Sequence, residues 1–127
     1  MTLHKPKDPK ACLCPIRDVL DRLGDRWSLL LIHELEAGTL RFSELRNRIG
    51  DVSQRMLAQT LRRLEQDGLV SRQVFATVPL RVEYTLTPLG PSLLKPLQSM
   101  IEWALENHDA VRAARAAYVA PMAIAAN

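Results

Sequence analysis

Apolar residues recur at helical spacing from Ser53 to Gly68, and the polar residues between them gather on one side. On a helical wheel Leu57, Leu61 and Leu64 share one edge with Thr60 and Met56 beside them, while Arg55, Gln59, Arg62 and Gln66 occupy the opposite edge. Ser53 suits an N-cap and Gly68 a C-terminal stop, so the pattern predicts a helix of roughly 20 Å at 1.5 Å rise per residue. Upstream, Ser43 can cap a short helix from Glu44 to Ile49, and Gly50-Asp51-Val52 makes the turn into the longer one. Such a pair is a helix-turn-helix. A major groove about 12 Å wide accepts an α-helix side-on, and arginine and glutamine can pair bidentately with purine edges. An Arg/Gln face is also the ordinary composition of a solvated helix surface, so the neighbouring segments have to decide between the two.

Downstream, Leu69–Phe75 and Arg81–Leu86 alternate in polarity and are rich in β-branched and aromatic residues, with a turn near Thr77-Val78-Pro79. They predict a β-hairpin, which directly after such a helix is the wing of a winged helix. Thr39–Phe42 predicts a short edge strand. Earlier, Pro15–Leu23 carries Ile16, Val19, Leu20 and Leu23 at helical spacing, with proline at its first position and Gly24 after its last. Asp25–Ala37 is strongly apolar and predicts a core helix. A final helix is expected to open at Thr87-Pro88 and to run through Leu89, Leu93, Leu94, Leu97, Ile101, Trp103 and Leu105, kinked at Pro96. Its apolar stripe follows an already complete core, so Leu97, Ile101 and Trp103, with Ile16 and Leu20 of the first helix, predict an interface with a second copy of the chain; folding back on its own core is the alternative. The expected fold is α+β, mainly α: a winged helix-turn-helix with an added N-terminal helix and a long C-terminal dimerisation helix. Residues 1–13 read as a flexible arm, 14–108 as a single domain, and 109–127 as an alanine-rich tail, partly disordered.

Composition narrows the function. At 127 residues and 47% hydrophobic the chain fills one core. A net charge of +3 and a pI of about 9.2 are only mildly basic, but the distribution is uneven. From Arg41 to Arg81 the cations are all arginine (Arg41, Arg46, Arg48, Arg55, Arg62, Arg63, Arg72, Arg81) against Glu44, Asp51, Glu65 and Asp67. Arginine is suited to bidentate phosphate and guanine contacts. No stretch is apolar enough to span a bilayer, and Met1–Lys10 lacks the apolar segment of a secretion signal, so the cytoplasm is the expected compartment and no membrane is a partner. His4, His33 and His108 have no ligand spacing with Cys12 or Cys14, so no metal or other cofactor is expected. Without a Gly-rich phosphate loop, a nucleophile motif or paired carboxylates, an enzyme has no residues to stand on.

Taken in order, Cys14-Pro15, Gly24-Asp25-Arg26-Trp27, Gly38-Thr39-Leu40-Arg41-Phe42-Ser43-Glu44-Leu45, Leu57 with Leu61–Gly68, Val78-Pro79, and Val82-Glu83-Tyr84-Thr85-Leu86-Thr87 with Gly90 resemble the HxlR family of bacterial transcriptional regulators. The resemblance runs from Cys14 to Trp103. It implies a homodimeric winged helix related to the MarR type, bound to palindromic promoter DNA. Leu80 departs from the second proline many members carry there, and Asp25-Arg26-Trp27 stands for the commoner Gly-Lys-Trp.

On this reading double-stranded DNA and a second copy of the chain are the partners. Gln54, Arg55, Gln59 and Arg62 are the expected base readers, and Arg46, Ser53, Arg63 and Arg81 the expected backbone contacts. Two reading helices one duplex turn apart, about 34–36 Å, would select a pseudo-palindromic site. Cys14 sits at the mouth of the first helix, where the macrodipole favours a thiolate. Some family members sense electrophiles, quinones or oxidants through the matching cysteine, which implies redox sensing at Cys14 by a small electrophile or oxidant effector; the alternative is a small structural cysteine without a sensing role. The functional alternative is a winged-helix protein-interaction module without specific DNA binding.

Overall fold

The structure, a computed structural model, describes residues 14–121. The expected arm, with Cys12, and the last six residues of the expected tail lie outside the described residues. Elements follow in the order α1 (Pro15–Leu23), α2 (Ser28–Leu35), β1 (Leu40–Arg41), α3 (Phe42–Ile49), α4 (Gln54–Gln66), β2 (Val70–Phe75), β3 (Arg81–Leu86) and α5 (Gly90–Ala117). The fold is the mainly helical winged helix-turn-helix that the sequence predicts. Two compact units divide it, one ending at Leu94 and one beginning at Lys95.

In the first unit, Leu31, Ile32 and Leu35 of α2, Leu45 of α3, and Leu57, Leu61 and Leu64 of α4 are buried together with Leu40, Val70 and Tyr84 of the sheet. The sheet is antiparallel in the order β1-β3-β2. Leu40 pairs with Tyr84, while Val70 to Phe75 pair with Leu86 to Arg81, so β3 is the central strand and the β2–β3 hairpin projects as the wing. A hydroxyl pair, Thr39 Oγ1 to Thr85 Oγ1 at 2.7 Å, closes the edge.

Helix ends differ from the sequence expectation where a side chain claims a backbone group. Asp25 stands outside α2, because its Oδ2 accepts the N–H groups of Trp27 and Ser28 at 3.1 and 3.2 Å. α3 starts at Phe42 rather than Glu44. Arg41, not Ser43, is its N-cap residue, with the Arg41 N–H donating to Glu44 Oε1 at 3.0 Å. α5 opens at Gly90 rather than Thr87, because the Thr87 hydroxyl donates to the Gly68 carbonyl and its backbone N–H to Leu69 O at 3.0 Å. Thr87 is thereby spent on the end of α4 and the start of β2.

The second unit is the remainder of α5 and the residues after it. The helix continues past His108 to Ala117, with Pro96 inside it close to the division between the units. Met100, Trp103 and Leu105 are exposed along it. Among the described residues no helix is long and apolar enough to cross a membrane.

Candidate nucleic-acid interface

The reading helix is defined at its start by Ser53, which is extended (φ −71°, ψ 153°) and whose Oγ accepts the Met56 N–H at 3.1 Å. Gly50, at φ 91°, makes the turn from α3, a backbone conformation that a side chain would strain. Leu57, Thr60, Leu61 and Leu64 turn inward. The buried Thr60 hydroxyl is satisfied within the helix by the Met56 carbonyl at 2.8 Å. The opposite face is fixed by the same periodicity: Gln54, Arg55, Gln59 and Arg62 are all exposed.

Arg55, Ala58, Gln59 and Arg62 line one shallow recess of about 300 Å³. A second, of about 260 Å³, joins Ala58, Arg62 and Glu65 to Arg72 and Tyr84 of the wing sheet. Ala58 is the low point between the long side chains, and Arg72 adds a cation from β2. Neither was among the sequence-derived site residues, and strand alternation does not mark Arg72, which shares the phase of the buried Val70 and pairs with Tyr84. Among the described residues no ion pair or side-chain hydrogen bond engages Arg46, Gln54, Arg55, Gln59, Arg62 or Arg72. Ser53 spends its hydroxyl lone pair on the cap but keeps its O–H for an outside acceptor.

Three other arginines pair within the chain. Arg63 Nη2 lies 3.9 Å from Asp25 Oδ2, and its Nε is buried without a hydrogen-bond partner, so this side chain stands apart from the reading face. Arg81 Nε lies 3.2 Å from Glu83 Oε2, and the guanidinium stacks 4.1 Å from the Phe75 ring centroid, which ties it to the wing strands. Arg48 reaches Glu34 of α2 at 3.4 Å. At the wing tip Val78 and Leu80 are exposed, and Thr77 Oγ1 donates to Pro79 O at 2.8 Å. A groove of about 590 Å³ runs from this tip to Arg41 and Ser43 at the start of α3.

The far end of α4 is pinned by α1. Arg22 donates from Nε to Asp67 Oδ2 at 3.0 Å and from Nη2 to Gln66 Oε1 at 3.1 Å, so the last residue of the reading helix and its C-cap share one guanidinium. The hydrogen bond and charge of Asp67 raise the arginine further above its ordinary value, and it stays charged throughout the physiological range. Pairing across so many residues leaves no local sequence signal. At the other end of α1, Cys14 is the N-cap residue, half-buried, and its carbonyl accepts the Asp18 N–H at 3.0 Å. Ile16 is half-buried and Leu20 exposed.

Residues 22–112 match the HxlR-like helix-turn-helix family. The chain is 45% identical over 102 residues to YtfH of Escherichia coli (strain K12), an uncharacterized HTH-type transcriptional regulator, covering 80% of this chain and 81% of that protein. Among solved structures, the redox regulator HypR in its reduced form superposes with a TM-score of 0.73 at 38% identity, covering 78% of this chain and 98% of that one. The reduced form of the transcriptional regulator YodB from Bacillus subtilis gives a TM-score of 0.64 at 42% identity, covering 72% of this chain and 89% of that one.

Proposed function

The chain belongs to the HxlR-like helix-turn-helix family and is a transcriptional regulator of the helix-turn-helix type, and from that premise we propose that it binds pseudo-palindromic promoter DNA as a homodimer and is released by thiol modification at Cys14. The observation that carries the DNA part is the exposed face of α4, where Gln54, Arg55, Gln59 and Arg62 have no partner within the described residues. Donors held away from internal acceptors remain available for base edges. In this reading Arg46 and Ser53 contact phosphates, Arg72 joins them from the wing, Arg81 can reach a phosphate only through the Nη atoms that its Nε pairing with Glu83 leaves over, and Arg63 is reassigned to holding α4 on the α1–α2 turn.

Dimerisation brings two copies of α4 to successive major grooves, and the exposed apolar residues Leu20 on α1 and Trp103 on α5 are the side chains it would cover. The thiol part is supported by the position of Cys14 immediately before α1 and by the description of HypR as a redox regulator. An oxidant would take two electrons and two protons from a pair of thiols to join Cys14 of two protomers; an electrophile would add to the single sulfur.

The deciding experiment is a titration of purified protein against labelled DNA from upstream of its own gene and other promoters, at two salt concentrations, reduced and after diamide. Salt-steepened specific binding, lost on oxidation and retained by Cys14→Ser, is the expected result. Specific binding that diamide leaves unchanged would remove the thiol switch, and absence of specific binding across the genome would remove the DNA reading.

A further inference from the structure

Away from the reading face, α1, the C-cap of α4, Leu69 just before β2, and Leu89 with the first turn of α5 line an open recess of about 360 Å³. Its walls are Val19, Leu23, Leu69, Leu89 and Leu93, and its polar edge is Asp18, Arg22, Asp67 and Ser92. All of these belong to the first unit. The volume lies within the range of small-molecule pockets, about 300–1,000 Å³, and the lining follows their usual pattern of apolar walls with a few convergent polar groups.

The polar edge carries more acceptors and more negative than positive charge. Arg22 commits two of its five N–H groups, Nε to Asp67 Oδ2 and Nη2 to Gln66 Oε1. Ser92 donates its hydroxyl proton to Leu89 O, which leaves its oxygen as an acceptor. Asp67 Oδ1 and the Asp18 carboxylate, neither in a hydrogen bond among the described residues, add further acceptors. Two carboxylates against one guanidinium leave the edge net negative. A ligand that brings donors and positive charge on an apolar body therefore matches this edge better than a carboxylate or phenolate, which would meet two like charges against one cation.

We propose that this recess binds a small organic cation, an ammonium group on one ring or a short hydrocarbon chain, with the ammonium between Asp18 and Asp67 and the apolar part against Leu23, Leu69 and Leu93. Because Asp67 is the C-cap of the reading helix, a cation that takes its carboxylate competes with Arg22 and loosens the attachment of α4 to α1. Occupancy then weakens specific DNA binding. This coupling rests on the DNA reading above, whereas the binding itself does not.

The test is titration of the full chain with 2-phenylethylammonium chloride, followed by amide ¹H–¹⁵N spectra without DNA, beside 3-phenylpropionate as the anionic counterpart. Saturable shifts at Val19, Leu69, Leu89 and Leu93 with the ammonium, and a response at least about tenfold weaker with the carboxylate, are expected. Asp18→Asn should weaken ammonium binding by about tenfold, and Leu93→Trp should abolish it by filling the recess while the spectrum stays dispersed. Equal response to both charges, no response, or shifts that follow protein concentration instead of ammonium, as a second copy seated in the recess would give, overturns the proposal. If Leu93→Trp fails to fold, Asp18→Asn decides alone: unchanged affinity overturns it. DNA titration with and without the ammonium then reads the coupling separately, and unchanged DNA affinity at saturating ammonium overturns that part only.

Discussion

Arg63 of the reading helix reaches back to the turn between the first two helices, its Nη2 3.9 Å from the Asp25 oxygen that also accepts the N–H groups of Trp27 and Ser28. One carboxylate thus starts α2 and steadies α4. The pair is partly exposed and longer than a hydrogen bond, so its contribution is modest, about 1 kcal/mol. Arg63→Ala should lower the unfolding free energy by that much, read as a lower urea midpoint at unchanged m, and leave the preference among operator variants unchanged. A loss of base preference at normal stability would return Arg63 to the DNA surface.

Arg55 makes the opposite prediction. It is exposed and engages no internal acceptor, so Arg55→Ala should leave the unfolding midpoint in place and cost about 1–3 kcal/mol in specific binding, with preference relaxed at one base pair. Arg46→Ala should instead weaken matched and mismatched sites alike and reduce the salt slope by about one. Titrations on matched and single-mismatch operators at two salt concentrations separate the two behaviours.

The contrast between these arginines also shows what a sequence can carry. Helical periodicity assigns Leu57, Leu61 and Leu64 inward and Arg55, Gln59 and Arg62 outward without knowledge of any other segment, and strand alternation places the wing in the same way. Arg63 lies at the boundary of the two faces, and only the arrival of Asp25 from far along the chain draws it inward. The same holds for Arg22, whose partners Gln66 and Asp67 are brought to it by packing alone. At helix ends the local pattern pointed to Ser43 and to Thr87-Pro88, and side-chain contacts moved both starts: Glu44 claimed the Arg41 N–H, and Thr87 was drawn to Gly68 and Leu69. Local pattern therefore reaches the reading helix and wing, while the pins that hold α4 depend on contacts no local pattern encodes.

Gly90 packs where no side chain fits. A Cβ there would lie 2.9 Å from both Cβ and Cδ2 of Leu86 and 3.2 Å from the Leu69 carbonyl, and that carbonyl is held by the Thr87 N–H at 3.0 Å. Gly90→Ala should destabilise the chain by about 1–3 kcal/mol as the start of α5 is pushed away from the sheet, measurable as a lower urea midpoint. An unchanged midpoint would mean that α5 can begin elsewhere without cost.

The proposed homodimer makes its own demand on Leu20 and Trp103, which are 58% and 60% exposed within the chain. Side chains so open contribute little to the packing of a single chain, so a polar replacement should spare the fold and act on association. Leu20→Asp and Trp103→Glu should each keep the helical circular dichroism and shift sedimentation from the mass of two chains toward that of one. Operator binding should fall with the dimer, because one reading helix reaches only one half-site and the second groove contact is lost. If both variants sediment as the parent does, the two copies meet through another surface, and the spacing expected between their reading helices has to be measured anew.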